Sequence, residues 1–144
     1  MSTFDRATRV LLGLLGTAFV VSVVHYIDNV VNYADYPAPE PGALLAPTAV
    51  VIAAAWFVFT AAALGGLWLW FRRSIIGAAL AFASYSISGL IGIGHYTVAG
   101  AIGMPWWRHT HVVVDILCGI AVLGFAVWAI VRRDALRASS YAEP

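Results

Sequence analysis

The sequence predicts an all-α integral membrane protein, built as a four-helix up-down-up-down bundle with both termini in the cytoplasm. Of its 144 residues, 62% are hydrophobic and 10% are charged, whereas a soluble domain carries roughly 25% charged residues. Such a composition cannot cover a surface that faces water. Four apolar stretches also reach the roughly 20 residues that a helix needs to cross a bilayer. Because they use most of the chain, we expect residues 1–144 to form a single transmembrane domain.

The predicted spans are separated by short segments that oppose helix formation or carry charge. The first connection, 32–46, has prolines at three alternate positions, and proline removes a backbone donor and restricts the preceding residue. Arg72 and Arg73 alone separate the second and third spans, and such short connections favour antiparallel neighbours. The predicted spans are 9–31, 47–71, 74–97 and 109–131, and a polar cytoplasmic tail, 132–144, follows the last.

The placement of arginine predicts the orientation in the membrane. Arg108 falls on one side of the predicted bundle, and the other seven arginines fall on the opposite side. Short cytoplasmic loops retain arginine and lysine, so the arginine-rich side is predicted to be cytoplasmic. Trp68, Trp70 and Trp128 are predicted near the same boundary, where amphipathic rings prefer to lie. The seven arginines are Arg6, Arg9, Arg72, Arg73, Arg132, Arg133 and Arg137.

The third span is rich in small residues. They recur at roughly four-residue spacing, a pattern that lets helix backbones approach closely in lipid. We therefore predict that the third helix is the most enclosed of the four. The residues of this pattern are Gly77, Ala81, Ser84, Ser88 and Gly92.

Charge and cysteine content narrow the classes of partner. The net charge is +1 and the arginines are scattered at helix ends, so no nucleic acid is expected as a partner. Cys118 is the single cysteine, which excludes an intrachain disulfide. The expected partner is the lipid bilayer, with a small hydrophobic substrate or a larger membrane complex as further candidates.

Ionisable residues within the spans converge on one level of the predicted bundle. Such residues are costly in a membrane and usually face protein or water. The first helix carries His25 and Asp28 in its last turns, and the third carries His95 at its end. The fourth helix carries His111 and Asp115 near its start. If the helices alternate in direction, all five lie within about 10 Å of the outer interface, at 1.5 Å rise per residue.

Three imidazoles and two carboxylates in a partly dry pocket are typical of a transition-metal site. Neutral imidazole is a common ligand of zinc, iron and copper, and a carboxylate either binds the ion or fixes the imidazole tautomer. The spacings His25-x-x-Asp28 and His111-x-x-x-Asp115 place imidazole and carboxylate on one helical face. We therefore predict His25, His95 and His111 as metal ligands. Asp28 and Asp115 are predicted as further ligands or as groups that orient the imidazoles.

A metal at this place suggests an enzyme. A metal lowers the pKa of its bound water, and Asp28 or Asp115 would then act as the catalytic base. The resulting hydrolase or hydratase would work on a membrane-soluble substrate.

Three alternatives use the same residues. His–Asp pairs across helices can hold a small bundle together, each hydrogen bond contributing about 0.6 kcal/mol in membranes, as in a structural or assembly subunit of a membrane complex. Two histidines from facing helices can also bind haem axially for electron transfer, although carboxylates suit an anionic macrocycle poorly, so haem ranks below a bare ion. Proton or ion handling is the third alternative.

Arg108 is expected to reach the lipid headgroups, with an ion pair to Asp28 as the alternative.

Overall fold

The computed structural model describes residues 2–37 and 47–138, and these residues form helices and no β-strand. Four of the described helical segments are long and apolar enough to cross a membrane, which confirms the predicted all-helical class and the number of spans. Pro39 and Pro41 of the predicted proline-rich loop lie outside the described residues. The α-helices are α1 (Thr3–Val31), α2 (Ala49–Phe71), α3 (Ile75–Leu90), α4 (Trp106–Val131) and α5 (Arg133–Ala138), and 3-10 helices span Tyr33–Asp35, Ile91–Thr97 and Ala101–Gly103.

Two helices begin earlier than predicted. Helix α1 starts at Thr3 because Ser2 and Asp5 form a reciprocal cap, in which each side-chain oxygen accepts from the other residue's backbone N–H at 3.1 Å. This cap satisfies backbone donors that a helix start otherwise leaves unpaired. Helix α4 starts at Trp106, directly after Pro105. Both helices therefore extend beyond the predicted spans, which begin at 9 and 109.

The third span changes its helical geometry before its end. The prediction was one helix over 74–97, but the α-helix stops at Leu90 and a 3-10 helix continues over Ile91–Thr97. A 3-10 stretch of this length is uncommon, because its hydrogen bonds are poorer than those of an α-helix. His95 lies in this segment, so an α-helical pattern does not predict the direction of its side chain.

The predicted polar tail is partly structured. Residues Arg133–Ala138 form α5, and Leu136 on this helix is fully buried against the bundle core. An apolar side chain of this otherwise polar segment therefore contributes to the core. Residues 139–144 of the predicted tail lie outside the described residues.

Helix α3 lies at the centre of the packing, against both α2 and α4. In the most apolar 18-residue window of the span Ile75–Thr97 half of the residues are buried, compared with 33% for the first and fourth spans and 6% for the second, which confirms that the third span is the most enclosed. Glycines permit the contact: a Cβ on Gly89 would lie 2.3 Å from the backbone oxygen of Asp115, and one on Gly119 would lie 2.8 Å from that of Ser86. The buried face is shifted from the predicted stripe, because Ser84 is exposed.

An apolar core fills the end of the bundle that carries the seven arginines, here called the arginine end. The Phe4 ring of α1 stacks on Trp70 at the end of α2, with centroids 4.9 Å apart. Trp70 also donates from Nε1 to the hydroxyl of Thr8 at 2.9 Å and is fully buried. Trp70 therefore faces the core, with its polar atom satisfied inside the protein, and its place near the level of the membrane boundary stays a prediction. The assignment of this end to the cytoplasm stays a prediction from the arginine count.

The turn between α2 and α3 is unusual at one residue. Arg73 has a φ of 60°, in the left-handed region where glycine is normally found at the end of a helix. Two backbone hydrogen bonds define the turn, from Arg73 N to Trp70 O and from Ser74 N to Leu69 O, both at 2.9 Å. A side chain in this conformation costs about 1–2 kcal/mol.

Candidate functional site

The polar residues meet at the other end of the bundle, here called the histidine end. In α1, His25, Asp28 and Asn29 are buried on one face, as expected for residues three and four positions apart on a helix. This face lies against α4 and against the 3-10 segment that follows α3. The five residues predicted for the site therefore come from three separate stretches of chain, as the sequence analysis proposed.

His25 and Asp115 form the buried centre of this site. The His25 Nδ1 and the Asp115 Oδ2 lie 2.6 Å apart, and both side chains are 2% exposed. Gly92 lies beside this ring: a Cβ there would be in ordinary contact with His25 Cε1 at 3.5 Å and in tighter contact with the Ile116 side chain at 3.2 Å. The imidazole is thus packed directly against the backbone that follows α3.

The second nitrogen of His25 faces another imidazole. His25 Nε2 lies 3.4 Å from the Nε2 of His95, and the two ring centroids are 5.5 Å apart. The side-chain nitrogen of Asn29 lies 3.2 Å from the same His95 nitrogen. Because an amide can present either its NH₂ group or its oxygen, Asn29 is compatible with both tautomers of His95. This role of Asn29 was not predicted, although its position one turn after His25 places both residues on the same face of the helix.

Asp28 is held by three hydrogen-bond donors. Arg108 donates from Nε at 3.0 Å to its Oδ2, and Asn32 donates at 2.6 Å to its Oδ1. The hydroxyl of Tyr36 donates to Oδ2 as well. Arg108 is 4% exposed and forms an ion pair with Asp28. Its predicted contact with the lipid headgroups therefore gives way to the alternative, the pair with Asp28.

Tyr36 covers this cluster. Its ring centroid lies 4.9 Å from that of His95, and the guanidinium of Arg108 lies 4.4 Å from the centre of the Tyr36 ring on another side. Burial raises the pKa of Tyr36, and the hydrogen bond to the Asp28 carboxylate raises it further, because both disfavour the ionised phenol. Arg108 also donates to the backbone oxygen of Asp35 at 3.3 Å, which fixes the segment before Pro37 over the site.

His111 is the unusual member of the site. Its side chain is 10% exposed and its Nε2 lies 3.2 Å from Asp28 Oδ2. The geometry at that distance is not that of a hydrogen bond, and neither ring nitrogen has a hydrogen-bond partner among the described residues. A buried imidazole normally has such a partner. The ring centroid of His111 lies 5.3 Å from that of His25.

The structure places the five predicted residues within one cluster, but not around one point. Within residues 2–37 and 47–138, no three His, Cys, Asp or Glu side chains are arranged so that one metal ion could be held by all of them. Both carboxylates already accept hydrogen bonds, Asp28 from Arg108 and Asp115 from His25. These contacts favour an orienting role for the two acids over the predicted role as ligands or bases.

Comparison of the whole chain with protein-family models, curated proteins and solved structures finds no match.

Proposed function

We propose that this chain is an integral membrane protein that binds a divalent transition metal, zinc first, between α1, α4 and the segment after α3. The observation that carries the proposal is the 3.4 Å between the Nε2 atoms of His25 and His95. Two nitrogens that bind one tetrahedral zinc ion at about 2.0–2.1 Å lie about 3.3–3.4 Å apart. The two imidazoles are therefore spaced as neighbouring ligands of such an ion.

The contact with Asp115 supports this proposal. If Nδ1 of His25 donates its proton to the carboxylate at 2.6 Å, the lone pair of the neutral ring is on Nε2, which faces His95. Metal-binding histidines commonly donate their other ring N–H to a carboxylate in this way, which fixes the tautomer and raises the basicity of the ligand. In the proposal, Asp115 orients His25 and does not bind the ion.

His111 is the third ligand of the proposal. Both of its ring nitrogens are buried without a hydrogen bond among the described residues, and a buried polar group without a partner costs free energy. In the proposal, a rotation of the ring away from Asp28 satisfies one nitrogen by coordination. Asp28 then remains with Arg108, which keeps its charge neutralised.

An enzymatic role extends the proposal. A water molecule in the remaining coordination position would be acidified by the metal and could attack a lipid-soluble substrate. Haem is less suitable, because the carboxylates of Asp28 and Asp115 beside the imidazoles suit an anionic macrocycle poorly.

The chain offers a matched control for a metal-binding test. His109 lies at the same end of the bundle and contacts the hydroxyl of Tyr96 at 3.2 Å, in an exposed position. Purified protein is titrated with Co²⁺, followed by visible absorption, and with Zn²⁺, followed by equilibrium dialysis. We expect one ion per chain for the unsubstituted protein and for His109→Ala. His25→Ala and His95→Ala are expected to weaken binding by more than about 100-fold, beyond the effect typical of an outer partner. Equal binding by all four proteins would contradict the proposal.

A proton relay is the second candidate function, favoured by the continuous contacts from Asp115 through His25 to His95. It predicts proton movement across liposomes that depends on His25 and continues in the presence of a metal chelator. Loss of this movement on chelation would exclude it. A purely structural network, as in an assembly subunit, predicts instead that the His25→Ala substitution changes stability alone, with no bound metal and no proton movement.

A further inference from the structure

At the arginine end, we infer a binding site for the phosphate group of an anionic phospholipid, centred on Arg73. The inference is independent of the metal proposal, since Arg73 and His25 lie at opposite ends of the bundle. Arg73 has a φ of 60° and occupies the position of a helix-terminating turn that glycine normally fills. A large charged side chain thus stands at a position where the backbone conformation favours glycine.

The guanidinium of Arg73 is fixed in place but incompletely bonded. Its central carbon lies 3.3 Å from the centre of the Phe4 ring, so the cation is held against an aromatic face. Its Nη1 is buried and has no hydrogen-bond partner among the described residues. A charged donor without a partner is costly, and a guanidinium matches the geometry of phosphate oxygens in a bidentate contact.

The surroundings favour an anion. Seven of the eight arginines lie at this end, against two acidic residues in the described part of it: Asp5, whose charge interacts with that of Arg73, and Asp134. The neighbouring Arg72 also lies over an aromatic ring, 4.9 Å from the centre of Trp68. Two adjacent guanidinium groups are therefore oriented by aromatic rings at one turn.

Exposed apolar side chains beside this turn favour a lipid over a free anion. Trp68 and Phe71, in the last turn of α2, are 58% and 57% exposed, on a helix that is long and apolar enough to cross a membrane. A ligand that reaches both these rings and Arg73 combines an anionic group with an apolar part. An anionic phospholipid in the adjacent leaflet has this chemistry and adds attraction to the basic end.

The backbone conformation provides an unusually clean test, because Arg73→Gly removes the guanidinium and introduces the residue that the turn prefers. The protein is placed in nanodiscs of phosphatidylcholine, with or without phosphatidylglycerol, and its thermal unfolding midpoint is measured. A third sample contains phosphatidylcholine nanodiscs with added inorganic phosphate. The matched control is Arg132→Gln, which removes one exposed charge from the same end.

We expect phosphatidylglycerol to raise the midpoint of the unsubstituted protein and of Arg132→Gln, while inorganic phosphate does not. Arg73→Gly should lose this rise and should be at least as stable as the unsubstituted protein in phosphatidylcholine. An equal loss in both variants would mean general charge attraction and would overturn the site. An equal rise with inorganic phosphate would overturn the lipid assignment. If Arg73→Gly does not fold, Arg73→Asn, which also tolerates the left-handed region, is compared in the same way.

Discussion

His25 and Asp115 are 90 positions apart in the chain, yet their side chains meet at 2.6 Å and are 98% shielded from solvent. This contact joins the end of α1 to the start of α4. It also fixes which nitrogen of His25 is directed at His95. Each of the following predictions depends on this contact or on the residues packed around it.

Asp115→Asn should weaken metal binding at the proposed site. The amide keeps the shape of the carboxylate but removes its charge, so it holds the His25 ring less firmly and lowers its basicity. Loss of such an outer partner typically reduces metal affinity by about 10–100-fold. Competition between the protein and a chelator for Zn²⁺ measures the change. Asp134→Asn is the control, because the Asp134 side chain is 84% exposed at the arginine end; an effect as large in this control would contradict the prediction.

Asp28→Ala should destabilise the protein strongly. It would leave the buried Arg108 guanidinium with only the longer contact to the exposed Asp35 carboxylate, at 3.7 Å, and removing one partner of a buried ion pair typically costs about 3–5 kcal/mol. Chemical unfolding in mixed micelles measures the loss. The double variant Asp28→Ala/Arg108→Ala should lose less than the sum of the two single variants, because neither charge is then left alone. Additive losses would show that the pair is not coupled.

Tyr36→Phe should lower stability by about 1.5–3 kcal/mol, the usual contribution of a hydrogen bond to a charged group. The substitution keeps the ring between His95 and Arg108 and removes only the hydroxyl that donates to Asp28. Tyr33→Phe is the control, since the Tyr33 hydroxyl bonds the backbone oxygen of Pro47 at 3.0 Å on the exposed surface. Thermal unfolding midpoints compare the two variants.

Tyr36 should also make stability depend on alkaline pH. Its pKa is raised in the folded protein by burial and by Asp28, whereas in the unfolded chain it is about 10. Between these two values the folded state binds a proton that the unfolded state has lost, so stability is complete below pH about 10 and falls as the pH rises above it. Tyr36→Phe should show a shallower fall than the unsubstituted protein. Parallel pH profiles would contradict this assignment.

Gly89→Ala should separate α3 from α4 and disturb the site. The added methyl would lie 2.3 Å from the backbone oxygen of Asp115, and overpacking of this kind costs about 1–3 kcal/mol. In contrast, Gly13→Ala adds a methyl with nothing within 4 Å and should be neutral or stabilising by up to about 1 kcal/mol, because alanine favours a helix. Equal stability of the two variants, measured by chemical unfolding, would show that the helices adjust without cost.

Helix number and approximate location follow from composition and segment length, because crossing a bilayer requires a long apolar run whatever the neighbours are. The ends are less predictable: the start of α1 depends on a cap formed by Ser2 and Asp5, and α5 docks with Leu136 buried in the core. The gathering of His25, His95 and His111 was also predictable, because ionisable groups at equal depth in a small bundle have few other places to go.

The sequence by itself determined that this chain forms four apolar helices and that its imidazoles and acids share one end of the bundle, since both follow from counting residues along helices of known rise. The tertiary structure alone decided the pairing: Asp115 with His25, Asp28 with Arg108, and His111 with no hydrogen bond among the described residues. Such pairing depends on the rotation of each helix and on the 3-10 segment that carries His95. The helix rotations are in turn set by the places where glycines let two backbones touch. Such a contact is a property of two packed helices, and the sequence of one helix does not show it.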